Sequence, residues 1–270
     1  MDLLIWGGPV RREDLNVQLP DDVVVLTLSH GPGGSTDIGS SGMSNLALSF
    51  KDVNGKILPN LCARYGFNVG DFDRIYMAGF SAFHGLLNEV LKVEADRITG
   101  AVCLDACFSA KEHLEKAGFV AFGERAARGD ALFVLSASAG GGDTFSTGSQ
   151  CVWAQAKAVE SATGVEMDAL QVPEPLPVPE YSGRIGRMYI YDYGAEHTHA
   201  WHVHVLGKML LEAYLLPDIE HRSSEGVSAS EGSSWWGPAV AVGVAVAAVG
   251  TGTWVVVKRK ENQNVLSAQG

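Results

Sequence analysis

The sequence predicts an α/β protein: a mostly parallel sheet flanked by helices, followed by a single C-terminal transmembrane helix. Three observations carry that expectation. Short, nearly continuous apolar runs alternate with helical segments over residues 1–221, the pattern of βα units. Glycine-rich turns directly follow two of those runs. One uncharged stretch, 235–257, stands apart behind a linker rich in Ser, Gly and Glu.

The expected strands are 23–29 (VVVLTLS), 74–78 (RIYMA), 101–104 (AVCL), 131–135 (ALFVL) and 188–191 (MYIY), with 3–6 as a further edge strand. Runs apolar on both faces suit strands covered by helices on both sides. Helices are expected at 57–65, 82–93, 110–128, 150–162 and 202–215. The segment 172–179 (VPEPLPVP) cannot be helical, because proline lacks the N–H and clashes with the preceding turn. It reads as an extended connection, and 163–182 as a lid-like stretch.

The 270 residues are enough for one medium domain with an appendage. A formal charge of −11 argues against a nucleic-acid partner, which would need clustered Lys and Arg. Cys62, Cys103, Cys107 and Cys151 do not form paired CxxC clamps, so no structural zinc site is expected, and all four read as reduced and buried. Met1 to Trp6 has no basic region before it and does not read as a signal peptide.

The chain thus divides into a domain at 1–221, a flexible linker at 222–234, a membrane span at 235–257 and a short basic and polar tail at 258–270. About 20 apolar residues cross a ~30 Å hydrocarbon core. Two arguments on orientation oppose each other. Lys258-Arg259-Lys260 behind the span favours a cytoplasmic tail and an external domain. The missing export signal and missing disulfide framework favour a tail-anchored protein with a cytosolic domain, and this side is expected.

Chemistry concentrates in three places. In Tyr76-Met77-Ala78-Gly79-Phe80-Ser81-Ala82-Phe83 a strand runs into a turn and then a helix, which exposes Ser81 at the sheet's edge beside a helix N-terminus. His30-Gly31-Pro32-Gly33-Gly34 follows the strand 23–29. Glu196-His197-Thr198-His199-Ala200-Trp201-His202-Val203-His204 follows the last strand.

Together these resemble the α/β-hydrolase superfamily, in particular its small esterase and depolymerase-like members. The departure is Phe83, where the G-x-S-x-G pattern has its second glycine; a phenylalanine there is expected to demand local rearrangement. The resemblance implies Ser81 as nucleophile and the amides of Gly31, Gly33, Gly34 and Ala82 as an oxyanion hole, with Pro32 excluded for want of an N–H. It implies a histidine base just before the final helix: His199 first, His197 as alternate, with His202 and His204 as packing or surface residues. The acid is Asp105, directly after the strand 101–104, or Asp143 in the glycine-rich loop 139–143. The implied substrate is a small-molecule or lipid-like ester, and no cofactor is called for.

Two other classes compete. The histidines could bind a metal, with His199 and His202 joined by Glu196 or Asp192, although no H-E-x-x-H spacing is present. A non-catalytic α/β-hydrolase-like binding or structural protein would also tolerate Phe83.

Overall fold

A computed structural model describes residues 1–8, 17–30, 40–108, 113–139, 146–221 and 253–258. In chain order the strands are β1 (Asp2–Gly8), β2 (Val23–His30), β3 (Arg74–Phe80), β4 (Ile98–Leu104), β5 (Leu132–Ala137), β6 (Tyr181–Ile185), β7 (Met188–Asp192) and β8 (Thr253–Lys258). They form one sheet in the order β6-β7-β5-β4-β3-β1-β2-β8. From β7 to β2 every pairing is parallel, and only the edge strands β6 and β8 run antiparallel.

Successive side chains of a strand point to opposite faces, so the apolar runs feed two cores. Leu3, Ile5, Met77, Cys103, Phe133 and Ile190 face one layer, packed against helices α1 (Ser40–Ser49), α2 (Leu58–Arg64), α3 (Phe83–Glu94), α4 (Ala117–Ala127) and α5 (Gly148–Thr163). Leu4, Trp6, Tyr76, Val102, Val134 and Tyr191 face the other, under Val203, Leu206, Leu210 and Leu215 of a terminal helix at 199–221. That helix alternates α-turns (His199–Trp201, Gly207–Leu210) with wider π-turns (His202–Leu206, Leu211–Leu215).

Chain order sets where a crevice forms. From β1 the chain moves to β2 on one side, then returns to lay β3, β4, β5 and β7 on the other. The direction reverses between β1 and β3, and such a switch point leaves a crevice at the carboxyl ends of the strands. Residue 81 follows β3 there.

Several expectations change. Helix α1 was not legible in SSGMSNLALS, whose serines and glycine favour turns over helix. Helix α4 starts at Ala117 rather than 110, because Lys116 is extended and gives its N–H to the Gln155 side chain at 2.8 Å. β6 begins inside the lid-like stretch.

The cysteines are a correction as well. Cys107 and Cys151 are joined as a disulfide, and only Cys62 and Cys103 are free and buried. Cys107 leaves β4 where Cys151 enters the first turns of α5, a meeting 44 residues apart that no spacing rule reveals.

The transmembrane helix is corrected at its end. Residues 253–257 are not helical but belong to β8, paired along β2 from His30↔Thr253 to Val25↔Lys258. The run TWVVVK is β-branched and aromatic, which fits an open sheet edge better than a helix. Residues 235–252 lie outside the described residues, and among those described no helix is long and apolar enough to cross a membrane.

Candidate active site

Ser81 and Asp105 are the two non-glycine residues with left-handed backbone among those described, at φ 53° and 42°. Such a conformation costs on the order of 1–3 kcal/mol at a residue with a Cβ. Both follow the carboxyl ends of adjacent strands, β3 and β4. The Ser81 N–H is held by the Leu104 carbonyl at 3.3 Å, and the Asp105 N–H by the Ser136 carbonyl at 3.0 Å. The sharp turn sends the chain from β3 directly into α3, and leaves the serine hydroxyl clear of both elements.

Phe83 is accommodated without disturbing that turn. Its ring is fully buried and lies over Gly7 of β1 and Gly79 of β3. A Cβ on Gly7 would come within 1.9 Å of the ring, and one on Gly79 within 2.3 Å. The room for close approach is therefore supplied by the strands instead of the helix. The expected rearrangement is a relocation of the glycine, readable in principle from Gly7 at the end of the first apolar run.

His199 joins the two strained residues. Its Nδ1–H donates to Asp105 Oδ2 at 2.7 Å, and its Nε2 accepts the Ser81 hydroxyl at 2.8 Å. The imidazole sits between two phenylalanines, Phe80 at 4.3 Å between centroids and Phe108 edge-on at 5.5 Å. These rings limit its rotation. The Asp105 carboxylate is fully buried. Ser138 satisfies it further, with its N–H on Oδ1 at 2.9 Å and its hydroxyl on Oδ2 at 2.6 Å. Burial alone would raise this carboxyl's pKa. The hydrogen bond from His199, the nearby His202, the Ser138 hydroxyl and the charge of His199 outweigh it and hold the group below its ordinary value. Gly148 makes room for it, since a Cβ there would lie 2.7 Å from Asp105 Oδ1.

Below Ser81 the buried His84 ring is 3.0 Å from the Ser81 carbonyl. Burial, with the charge of Lys116, pushes its pKa down to about 3, so it stays neutral and steadies the turn as a donor.

The other expected residues fall elsewhere. Ala82 lies directly after Ser81 at the head of α3, and its N–H has no acceptor among the described residues. Gly31, Gly33 and Gly34 lie outside the described residues, as does Asp143. The strand before that loop, β2, ends at the same sheet edge, with β1 between it and β3. His197 does not reach the serine but stacks on Trp201 at 3.8 Å. His202 is fully buried, and His204 is exposed.

The metal reading loses its ligands to other duties. Asp192 accepts the Ser149 hydroxyl at 2.6 Å and the Trp153 indole N–H at 2.8 Å. His199 is committed to Asp105 and Ser81. Among the described residues no group of three His, Cys, Asp or Glu side chains is placed to hold a metal ion.

Sequence reasoning missed Ser136, Ser138, Phe108 and Gly148. The one available signal was the pair of serines in LFVLSAS, polar residues closing an otherwise apolar strand beside a candidate acid.

Comparison with protein-family models, with curated proteins and with solved structures finds no match. The resemblance to α/β-hydrolases therefore rests on these residues and their geometry.

Proposed function

We propose that this chain is a serine hydrolase of the α/β-hydrolase kind, cleaving small-molecule or lipid-like carboxylic esters through Ser81, His199 and Asp105. One observation carries it: an unbroken hydrogen-bond chain from the Ser81 hydroxyl through both nitrogens of His199 to a buried carboxylate, with nucleophile and acid both on left-handed backbone. A packing serine or an ordinary helix cap needs neither the strain nor the base.

In the forward step His199 Nε2 takes the hydroxyl proton as Ser81 Oγ bonds to the ester carbonyl carbon. The negative charge on the carbonyl oxygen is met by the Ala82 N–H at the start of α3, with the glycine loop 31–34 as the candidate second donor. The tetrahedral adduct collapses, the ester C–O bond breaks, and the proton on Nε2 passes to the departing alcohol. Water then repeats the sequence on the acyl-enzyme, releasing the acid and restoring the serine. Asp105 keeps the Nδ1–H in place and offsets the imidazolium charge without itself taking the proton.

The test is labelling by a fluorophosphonate probe and turnover of a p-nitrophenyl ester. Wild-type protein is expected to be labelled, and Ser81→Ala to lose labelling and at least roughly 10³-fold in kcat. Unlabelled wild-type protein, or Ser81→Ala with undiminished turnover, would return the chain to the class of non-catalytic binding modules.

The proposal extends to a membrane-bound enzyme, through the uncharged stretch 235–252. With β8 paired to β2, both ends of that stretch lie on the domain's side, so it would hold the domain to the membrane from one side rather than cross it. The Cys107–Cys151 disulfide favours an oxidising compartment. It supports an external domain, against the cytosolic side that four reduced cysteines imply. Protease added to intact cells is expected to digest the domain; its survival there would place it inside.

A further inference from the structure

Behind the proposed triad lies a second histidine that the mechanism above does not use. His202 is three residues beyond His199 and is fully buried. Its Nδ1 lies 3.0 Å from the Ser136 hydroxyl oxygen. The same oxygen accepts the Asp105 backbone N–H at 3.1 Å, and its own hydrogen has the Cys103 carbonyl within 3.4 Å. The His202 ring is held edge-on by Tyr193 at 5.6 Å and by Trp201 at 5.4 Å.

This ring is an odd choice for packing alone. Its Nε2 is buried with no hydrogen-bond partner among the described residues, a state that costs stability which an apolar side chain of similar size would not incur. What the imidazole supplies is its other nitrogen. With Nδ1 as the donor, every N–H and O–H in the chain His202, Ser136, Asp105 has an acceptor, and only the Nε2 lone pair stays unsatisfied. An orphan acceptor is more tolerable than an orphan donor.

The location gives that bond its consequence. His199 opens the terminal helix, and His202 follows in the next turn. Ser136 lies at the end of β5, two residues before the Ser138 that grips the Asp105 carboxylate. The His202–Ser136 bond therefore ties the helix turn carrying the base to the strand end supporting the acid, in parallel with the His199–Asp105 contact. Burial, reinforced by the neighbouring His199 and His197 against the pull of Asp105, lowers the pKa of His202 to about 4, so near neutral pH the tie adds no charge beside the triad.

We propose that His202 is a positioning residue: through Ser136 it holds His199 in register with Asp105. The inference rests on the triad reading. Misplacing a reacting group by about 1 Å can cost on the order of 10²-fold.

The test uses the full chain and four variants: His202→Leu, His202→Asn, Ser136→Ala and the double variant His202→Leu with Ser136→Ala. Ester kcat and KM, fluorophosphonate labelling rate and the far-downfield proton resonance of His199 Nδ1–H are measured for each. His202→Leu is expected to lower kcat and labelling rate together by roughly 10- to 100-fold with little change in KM, and to broaden or erase the resonance. His202→Asn, whose amide nitrogen can stand where Nδ1 stands, should recover most of the loss. The double variant should be no worse than His202→Leu, since both break one link. Wild-type kcat with an intact resonance in His202→Leu would overturn the proposal, as would additive losses. If His202→Leu does not fold, Ser136→Ala decides, and wild-type turnover in it overturns the proposal. If wild-type protein proves inert towards probe and ester, the triad reading fails. The resonance then still reports whether His202 orders the His199–Asp105 contact.

Discussion

The two ends of the parallel sheet treat buried carboxylates in opposite ways. At the amino end, Asp2 pairs with Arg74 and Asp218 with Arg187, while Tyr76 donates to Asp218 at 3.1 Å. These partners are permanent cations and fixed donors, on ordinary backbone. Burial still holds the Asp2 carboxyl above its usual value, with Arg74 pulling the other way. At the carboxyl end, Asp105 has no Lys or Arg partner among the described residues. It sits on left-handed backbone, held by Ser138 and by a histidine that can gain and lose a proton. At the amino end the carboxylates are matched by charges that never change. Under the proposed mechanism, Asp105 is matched by a group whose charge changes during the reaction.

The sharpest way to break this contrast is to neutralise one carboxylate at each end. Asp105→Asn is expected to lower kcat by roughly 10³- to 10⁴-fold, because the amide can hold the wrong His199 tautomer, with a smaller effect on melting. Asp2→Asn should do the reverse. It leaves Arg74 uncompensated and costs on the order of 2 kcal/mol, less than the ~3–5 kcal/mol of a fully buried pair because the guanidinium keeps some contact with water. Activity per folded molecule should stay near wild type. Denaturant melts beside steady-state rates check both, and equal activity losses in the two variants would erase the distinction.

Acid should find the carboxyl end first. His202 titrates near 6.5 in the unfolded chain and at about 4 in the fold. Between those values the unfolded state binds more protons, so stability falls as pH falls, on the order of 3 kcal/mol across the window. Asp105, held below its ordinary 3.8, adds a stabilisation present above that value and lost as pH drops through its folded pKa. Unfolding free energies from pH 7 to pH 4 should therefore fall less steeply in His202→Asn than in wild type, with buried His84 contributing to the slope in both. Identical slopes would mean that His202 is not held neutral.

The smallest expected effect is the finest probe. Gly148→Ala brings a methyl group to within 2.7 Å of Asp105 Oδ1. Moving the carboxylate by a few tenths of an ångström should cost roughly 10-fold in kcat while the melting point changes little. A large loss of stability with unchanged kcat would make Gly148 a packing glycine rather than part of the acid's seat.

The order of elements was legible because apolar runs between turns report burial on both faces. All six parallel strands overlap the runs 3–6, 23–29, 74–78, 101–104, 131–135 and 188–191. Ser81 and Asp105 were legible because each follows such a run within a few residues, so local chain direction puts them at one edge, and His199 because it opens the helical segment after the last run. Contacts distant in sequence were not legible. Gly7 making room for Phe83, Cys107 reaching Cys151, β8 closing on β2 and Ser136 meeting His202 each join residues separated by tens to hundreds of positions. Periodicity and propensity are properties of neighbours along the chain, and they determined which segments fold and at which end of the sheet Ser81 and Asp105 lie. Which histidine meets the serine, and which is buried behind the acid, depends on how the terminal helix lies across the sheet. Only the packing of its apolar face against β3, β4 and β5 could decide that.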